Sequence, residues 1–119
     1  MEHVGFVQDS VYGTVHTKAY NHMKHTERGG SGAVPKAESD FHTYSMIWEP
    51  QKIEWLVDDQ QFFEFENEGK SIDEWPFDQP FHLILNVAVG GFWGGRKGID
   101  MDIWPQRMEV DYVRVFQKK

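Results

Sequence analysis

Residues 81 to 89, Phe-His-Leu-Ile-Leu-Asn-Val-Ala-Val, alternate with a period of two, and this pattern narrows the fold more than any other in the chain. Phe81, Leu83, Leu85, Val87 and Val89 fall on one face of an extended segment, and His82, Ile84, Asn86 and Ala88 fall on the other. Both faces are largely apolar, which predicts a strand packed on two sides. Asn86 is the exception, because an unpaired amide in an apolar setting costs about 1–3 kcal/mol. Either a protein partner satisfies it or its face lines a polar cleft. The glycines that follow, Gly90, Gly91, Gly94 and Gly95, bracket Trp93 and favour the cleft, with the indole held at the strand's end as a platform.

The chain has 119 residues, 39% of them hydrophobic, enough for one modest core and one folding unit. Its formal charge of −7 argues against nucleic acid or an anionic membrane surface as partner, since both reward clustered Lys and Arg. Aromatic residues make up 15% of the sequence and include five Trp. Such faces beside acids and amides suit pyranose rings, although an aromatic-rich β core explains most Trp equally well. No cysteine is present, so neither a disulfide nor a thiolate metal site can form. His16, His22 and His25 are loosely spaced and lack acidic or thiolate partners at metal-site spacing, which argues against zinc. No apolar run reaches membrane-spanning length, and the first residues lack the basic and hydrophobic blocks of a secretion signal.

The remaining pattern is also β. Strands are expected at Val11 to Thr17, Phe41 to Trp48, Lys52 to Val57, Gln61 to Glu66 and Met108 to Gln117, with a hairpin turn at Asp58-Asp59. Lys24 to Ser39, carrying Gly29, Gly30, Ser31, Gly32 and Pro35, reads as a soft polar loop and the most flexible stretch. Trp48, Trp55, Trp75 and Trp104 read as core or loop anchors. Antiparallel strands at this spacing point to a β-sandwich of two stacked sheets. Sandwiches that bind a polymer in a groove tend to run to roughly 200–250 residues, about twice this length.

A series of motifs follows in a recognisable order: Glu2 to Phe6, Tyr12-Gly-Thr-Val-His-Thr17, Tyr20-Asn-His22, Phe41-His-Thr-Tyr44, Trp75-Pro-Phe-Asp-Gln-Pro-Phe81, Leu85-Asn-Val-Ala-Val-Gly-Gly91, Trp104-Pro-Gln106 and Val110-Asp-Tyr-Val-Arg-Val115. Together they resemble the C-terminal half of a family 16 glycoside hydrolase, nearest the laminarinase-like endo-β-1,3-glucanases. The resemblance implies that residues 1–119 are the C-terminal portion of one concanavalin A-like β-jelly-roll domain lacking its N-terminal strands. It also implies a concave sheet that holds a β-glucan chain, and a double displacement that retains anomeric configuration.

The family signature is Glu-x-Asp-x-x-Glu, and Met1-Glu2 matches its last two positions. On one strand the first two acids share a face, and a β-bulge brings the third back to it. Retaining hydrolases set an attacking carboxylate and a proton donor about 5–5.5 Å apart, and the donor needs surroundings that keep it protonated. The resemblance makes Glu2 that acid/base and puts the nucleophile before Met1. A lone donor forms no covalent intermediate, so turnover by this chain alone is doubtful. A glutamate beside a terminus is otherwise ordinarily a solvated residue.

The resemblance further assigns substrate contacts to His16, Asn86 and Trp93, and places Asp111 where many members supply an oxygen to a structural calcium. Calcium wants about six to eight oxygen ligands, so a solvated Asp111 is the simpler reading. No cofactor is required. Three functions follow: a hydrolase completed by a complementary N-terminal half or a swapped oligomer, a β-glucan-binding module without chemistry, or an inactive fragment. The parent enzyme is expected to be extracellular or periplasmic.

Overall fold

The computed structural model describes residues 1–118, so Lys119, the last residue of the expected domain span, lies outside the described residues. It divides into two compact units, Met1–His82 and Leu83–Lys119.

The first unit holds all the named strands: β1 (Ser10–Val15), β2 (Arg28–Ala33), β3 (Tyr44–Trp48), β4 (Lys52–Val57) and β5 (Gln60–Glu66). A single 3₁₀ turn, His22–Lys24, is the only helical segment among the described residues. β1 and β2 pair antiparallel, and β3, β4 and β5 form a second antiparallel sheet in that order. The architecture is therefore the all-β antiparallel sandwich expected from the sequence.

Alternation explains β1 and β4. Val11, Gly13 and Val15 on β1, and Ile53, Trp55 and Val57 on β4, are buried, while the residues between them are half-buried. Val15, Tyr20, Ile53, Trp55, Phe65 and Trp75 make one core cluster, and Val11, Val34 and Val57 make another. Phe62 packs against both. Its position comes from a register irregularity: Trp55 faces Phe63 while Leu56 faces Gln61, so Phe62 is the extra residue of a bulge. The β4–β5 turn follows from Asp58 and Asp59, whose φ angles of 48° and 64° supply the two positive values that a two-residue hairpin of matching twist requires. Asp58 also fastens β3, because its Oδ1 accepts the Thr43 N–H at 2.9 Å.

Three sequence expectations are corrected here. The stretch read as a flexible loop contains β2, with Gly29, Gly30, Ser31 and Gly32 in register with Thr14, Gly13, Tyr12 and Val11. Its glycines answer to close packing. A Cβ on Gly32 would lie 2.8 Å from the Phe62 Cβ, and one on Gly30 would lie 3.0 Å from the Phe63 ring, so only glycine lets this sheet approach β5. In the second unit, residues 83–89 and 108–117 form no strand. Leu83, Leu85, Val87 and Val89 are all at least half exposed, and Asn86 is exposed too, so its amide escapes the burial that alternation implied. The physical reason is pairing: a strand exists through the hydrogen bonds of a neighbour, and no described segment pairs with these residues.

Of the five tryptophans, Trp55 and Trp75 are core residues as expected, with Trp75 stacked on Phe65 at 5.5 Å between ring centroids. Trp48 is a loop anchor: it is half-exposed, and its Nε1 donates to the Phe77 carbonyl at 2.9 Å.

Candidate functional site

Glu2 is joined to β1 by a reciprocal pair of backbone hydrogen bonds with Tyr12, each 2.8 Å long. Residues directly opposite in an antiparallel pair point to the same face. Glu2 therefore shares the face of Tyr12 and Thr14, opposite the face that buries Val11 and Val15. His16 follows β1 directly and is in phase with Tyr12 and Thr14. Its ring meets the His22 ring edge-on at 5.4 Å, which ties it to the 3₁₀ turn. At about 3.3 Å per residue, His16 lies roughly 13 Å along the strand from Tyr12.

An open depression of about 440 Å³ is lined among others by Tyr12, Thr14, His25, Glu27, Gly29 and Ser31, and neither Glu2 nor His16 is part of its lining. Tyr12 and Thr14 were within reach of sequence reasoning, since they continue the alternation that includes His16. Ser31 and Gly29 were not. Their place opposite Tyr12 and Thr14 depends on β2 being a strand, and the glycine composition pointed the other way.

The loops framing the two sheets are fastened by polar contacts. The Tyr20 hydroxyl donates to Glu68 at 2.5 Å, and this bond holds the phenol above its ordinary titration range. Lys70, 2.7 Å from Glu68, holds that carboxyl below the usual range, and the Arg28 guanidinium covers the Tyr20 ring at 4.8 Å. On the other side, His42 Nδ1 lies 2.7 Å from Asp58 Oδ2. The contact raises the imidazole and lowers the carboxyl. These groups tie loops to sheets.

The second unit contains the other assigned residues. Gly90 and Gly91 adopt φ of 71° and 79°, and the Gly95 N–H returns to the Gly91 carbonyl at 3.1 Å, which closes a tight turn around Trp93. A Cβ on Gly94 or Gly95 would lie 2.8 Å from the Gly90 or Gly91 carbonyl oxygen, so the turn needs its glycines. Trp93 is partly exposed in this turn, and Asn86 is exposed upstream of it. Trp104, expected as an anchor, is more than a third exposed. Asp111 is exposed, and among the described residues no group of three or more His, Cys, Asp or Glu is placed to hold a metal ion. No described helix is long and apolar enough to cross a membrane.

Comparison with known proteins is consistent across sequence and structure. Residues 1–114 match the family described as "Glycosyl hydrolases family 16". The chain is 56% identical over 122 residues to a beta-glucanase of Rhodothermus marinus, covering 98% of this chain and 43% of that one. It is 38% identical over 129 residues to glucan endo-1,3-beta-glucosidase A1 of Niallia circulans, covering all of this chain and 19% of that one. Among solved structures it is similar to the laminarinase from Rhodothermus marinus, with a TM-score of 0.84 and 55% identity over 87% of this chain and 43% of that chain. The chain thus spans less than half the length of the relatives it matches.

Proposed function

Since the chain belongs to family 16 of the glycosyl hydrolases, we propose that it is the acid/base-bearing portion of an endo-acting β-1,3-glucanase of the laminarinase kind. The observation that carries this reading is the placement of Glu2. The residue that matches the last acid of the family signature is held to β1 by two backbone hydrogen bonds, on the face turned away from the core.

Glu2 donates a proton to the glucosidic oxygen as the bond to the anomeric carbon breaks, then removes a proton from the water that releases the sugar. The attacking carboxylate belongs to the first acid of the signature, five positions before the one that Glu2 matches, and hydrolysis with retention requires both. His16 lies on the Glu2 side of β1 and contacts the glucan near the cleavage point. Asn86 offers its amide to sugar hydroxyls, and Trp93 offers a ring face to a glucosyl unit. The substrate is a β-1,3-glucan of the laminarin type. A polymer of this kind is met outside the cytoplasm, which places the parent enzyme in an extracellular or periplasmic setting.

The test is reconstitution. Mixing this chain with a complementary N-terminal half of the domain is expected to produce laminarin hydrolysis, and Glu2→Gln is expected to lower it by about 10²–10⁴-fold, the usual weight of a positioned proton donor. Full activity in Glu2→Gln refutes the assignment. Retention of laminarin by the reconstituted protein without cleavage selects a binding module instead.

A further inference from the structure

The outer face of β1 and β2 carries polar groups that hold no part of the fold together. Tyr12 stands opposite Ser31, and Thr14 opposite Gly29, so these four positions share the face that carries Glu2. Glu27 precedes β2 in phase with Gly29 and Ser31. All five line the open depression of about 440 Å³, which falls in the size range of small-ligand sites, roughly 300–1,000 Å³. Glu2 is outside the lining but borders it, because Glu2 and Tyr12 form a hydrogen-bonded pair whose Cα atoms stand about 5.5 Å apart.

One glycine keeps the floor open. A Cβ on Gly29 would lie 2.8 Å from the Gly13 carbonyl oxygen and 3.4 Å from Thr14 Oγ1. Strand spacing therefore keeps a side chain away from this point and leaves room beside the Thr14 hydroxyl. Within the described residues, no hydrogen bond or ion pair occupies the Thr14 and Ser31 hydroxyls or the Glu27 carboxylate. Hydroxyls donate and accept, and a carboxylate accepts O–H donors, so this set matches the hydroxyl edge of a sugar. Tyr12 adds aromatic surface for its CH face. Among the described residues no Lys or Arg lines the depression, so an anionic ligand would meet Glu27 without a fixed cation to pair with.

We infer that this depression is a glucosyl-binding site beside the cleavage point, where Thr14, Ser31 and Glu27 hold one unit of a neutral glucan and reject a sulfated one. This deepens the proposed function and rests on the reading of Glu2 as the acid/base. The unit held there belongs to the same polymer whose neighbouring linkage reaches Glu2. Glu27 sets the preference for neutral chains, and Gly29 sets the room for a ring.

The experiment reads binding to the 119-residue chain, without hydrolysis. Laminarihexaose is titrated to about 10 mM at about pH 8, above the ordinary histidine range, a ceiling that captures millimolar affinity. The Tyr12, Thr14, Gly29 and Ser31 amide signals are expected to shift together along one binding curve. Thr14→Val and Glu27→Gln should each weaken binding about fivefold, the weight of one hydrogen bond. Ser31→Ile, whose side chain suits a strand and fills the depression, should abolish the shifts. Unchanged Trp55 and Phe65 amides check the fold of each variant. Sulfated laminarihexaose should shift none of the four signals in the original chain and gain binding in Glu27→Gln. In the reconstituted enzyme, Glu27→Gln should raise KM more than it lowers kcat, as loss of uniform substrate binding does. The inference is overturned if the four amides stay still, if their shifts ignore all three substitutions, or if the sulfated chain binds as well as the neutral one. Shifts confined to Asn86 and Trp93 also overturn it and leave the functional reading standing. Shifts at the four amides without hydrolysis after reconstitution count against the functional reading alone.

Discussion

Phe65 in the first unit is stacked on Trp75 and edge-on to Phe77, with 7% of its surface exposed, whereas Leu85 in the second unit is 58% exposed. Both come from stretches of alternating apolar residues. They differ in what lies beside them: Phe65 belongs to β5, which is laddered to β4, and Leu85 belongs to a segment to which no described strand is paired. A β pattern in sequence is thus a capacity to pair and becomes buried area only when a partner strand is supplied.

The widest test of that contrast is truncation of matched apolar residues. Phe65→Ala is expected to destabilise the protein by about 3–5 kcal/mol, since it empties the centre of the main core cluster. Leu85→Ala is expected to change stability by no more than about 0.5 kcal/mol, as for an exposed position. Urea unfolding followed by Trp fluorescence measures both, and comparable losses at the two sites would abolish the distinction.

A somewhat smaller effect probes the glycine strand. Gly32→Val introduces a Cβ that would lie 2.8 Å from the Phe62 Cβ, so the β2–β5 contact must open. The expected loss is about 1–3 kcal/mol in the same unfolding measurement, typical of overpacking. A stable Gly32→Val protein would return this stretch to the status of a tolerant loop.

The smallest effect concerns the His42–Asp58 contact beside the β4–β5 turn. His42 titrates above its ordinary value of 6.5 because of its hydrogen bond to Asp58, so its stabilising contribution is complete below 6.5 and fades as pH rises through the folded-state value. Asp58 titrates below its ordinary value of 3.8, chiefly because of His42, so its contribution is complete above 3.8 and fades as pH falls through its own lower folded-state value. Thermal unfolding is therefore expected to show a modest optimum between the two titrations. Asp58→Asn should flatten the alkaline side of that optimum, and an unchanged slope would remove the pair from the stability of the first unit.

Much of the first unit was legible in the sequence. The Val11–Val15 and Ile53–Val57 alternations, the Asp58-Asp59 turn and the core placement of Trp55 and Trp75 follow from local patterns, because each depends on residues within a few positions of one another. β2 was not legible, since its glycines carry no apolar signal and their reason is the Phe62 and Phe63 side chains some 30 positions away. The candidate site divides in the same way. Glu2 was identified by its motif, while its face and its bond to Tyr12 needed the fold. Asn86 and Trp93 were picked out by the alternation, the flanking glycines and the family resemblance, in a region where the expected strand does not form.

The sequence by itself determined that the chain is all-β, which family it belongs to, and which glutamate matches the signature acid, because periodicity and ordered motifs are local properties. Tertiary structure alone decided that a glycine-rich stretch would be a strand and that an apolar one would not. Hydrogen-bond partners and close contacts across sheets join residues far apart in the chain, and no local pattern records them.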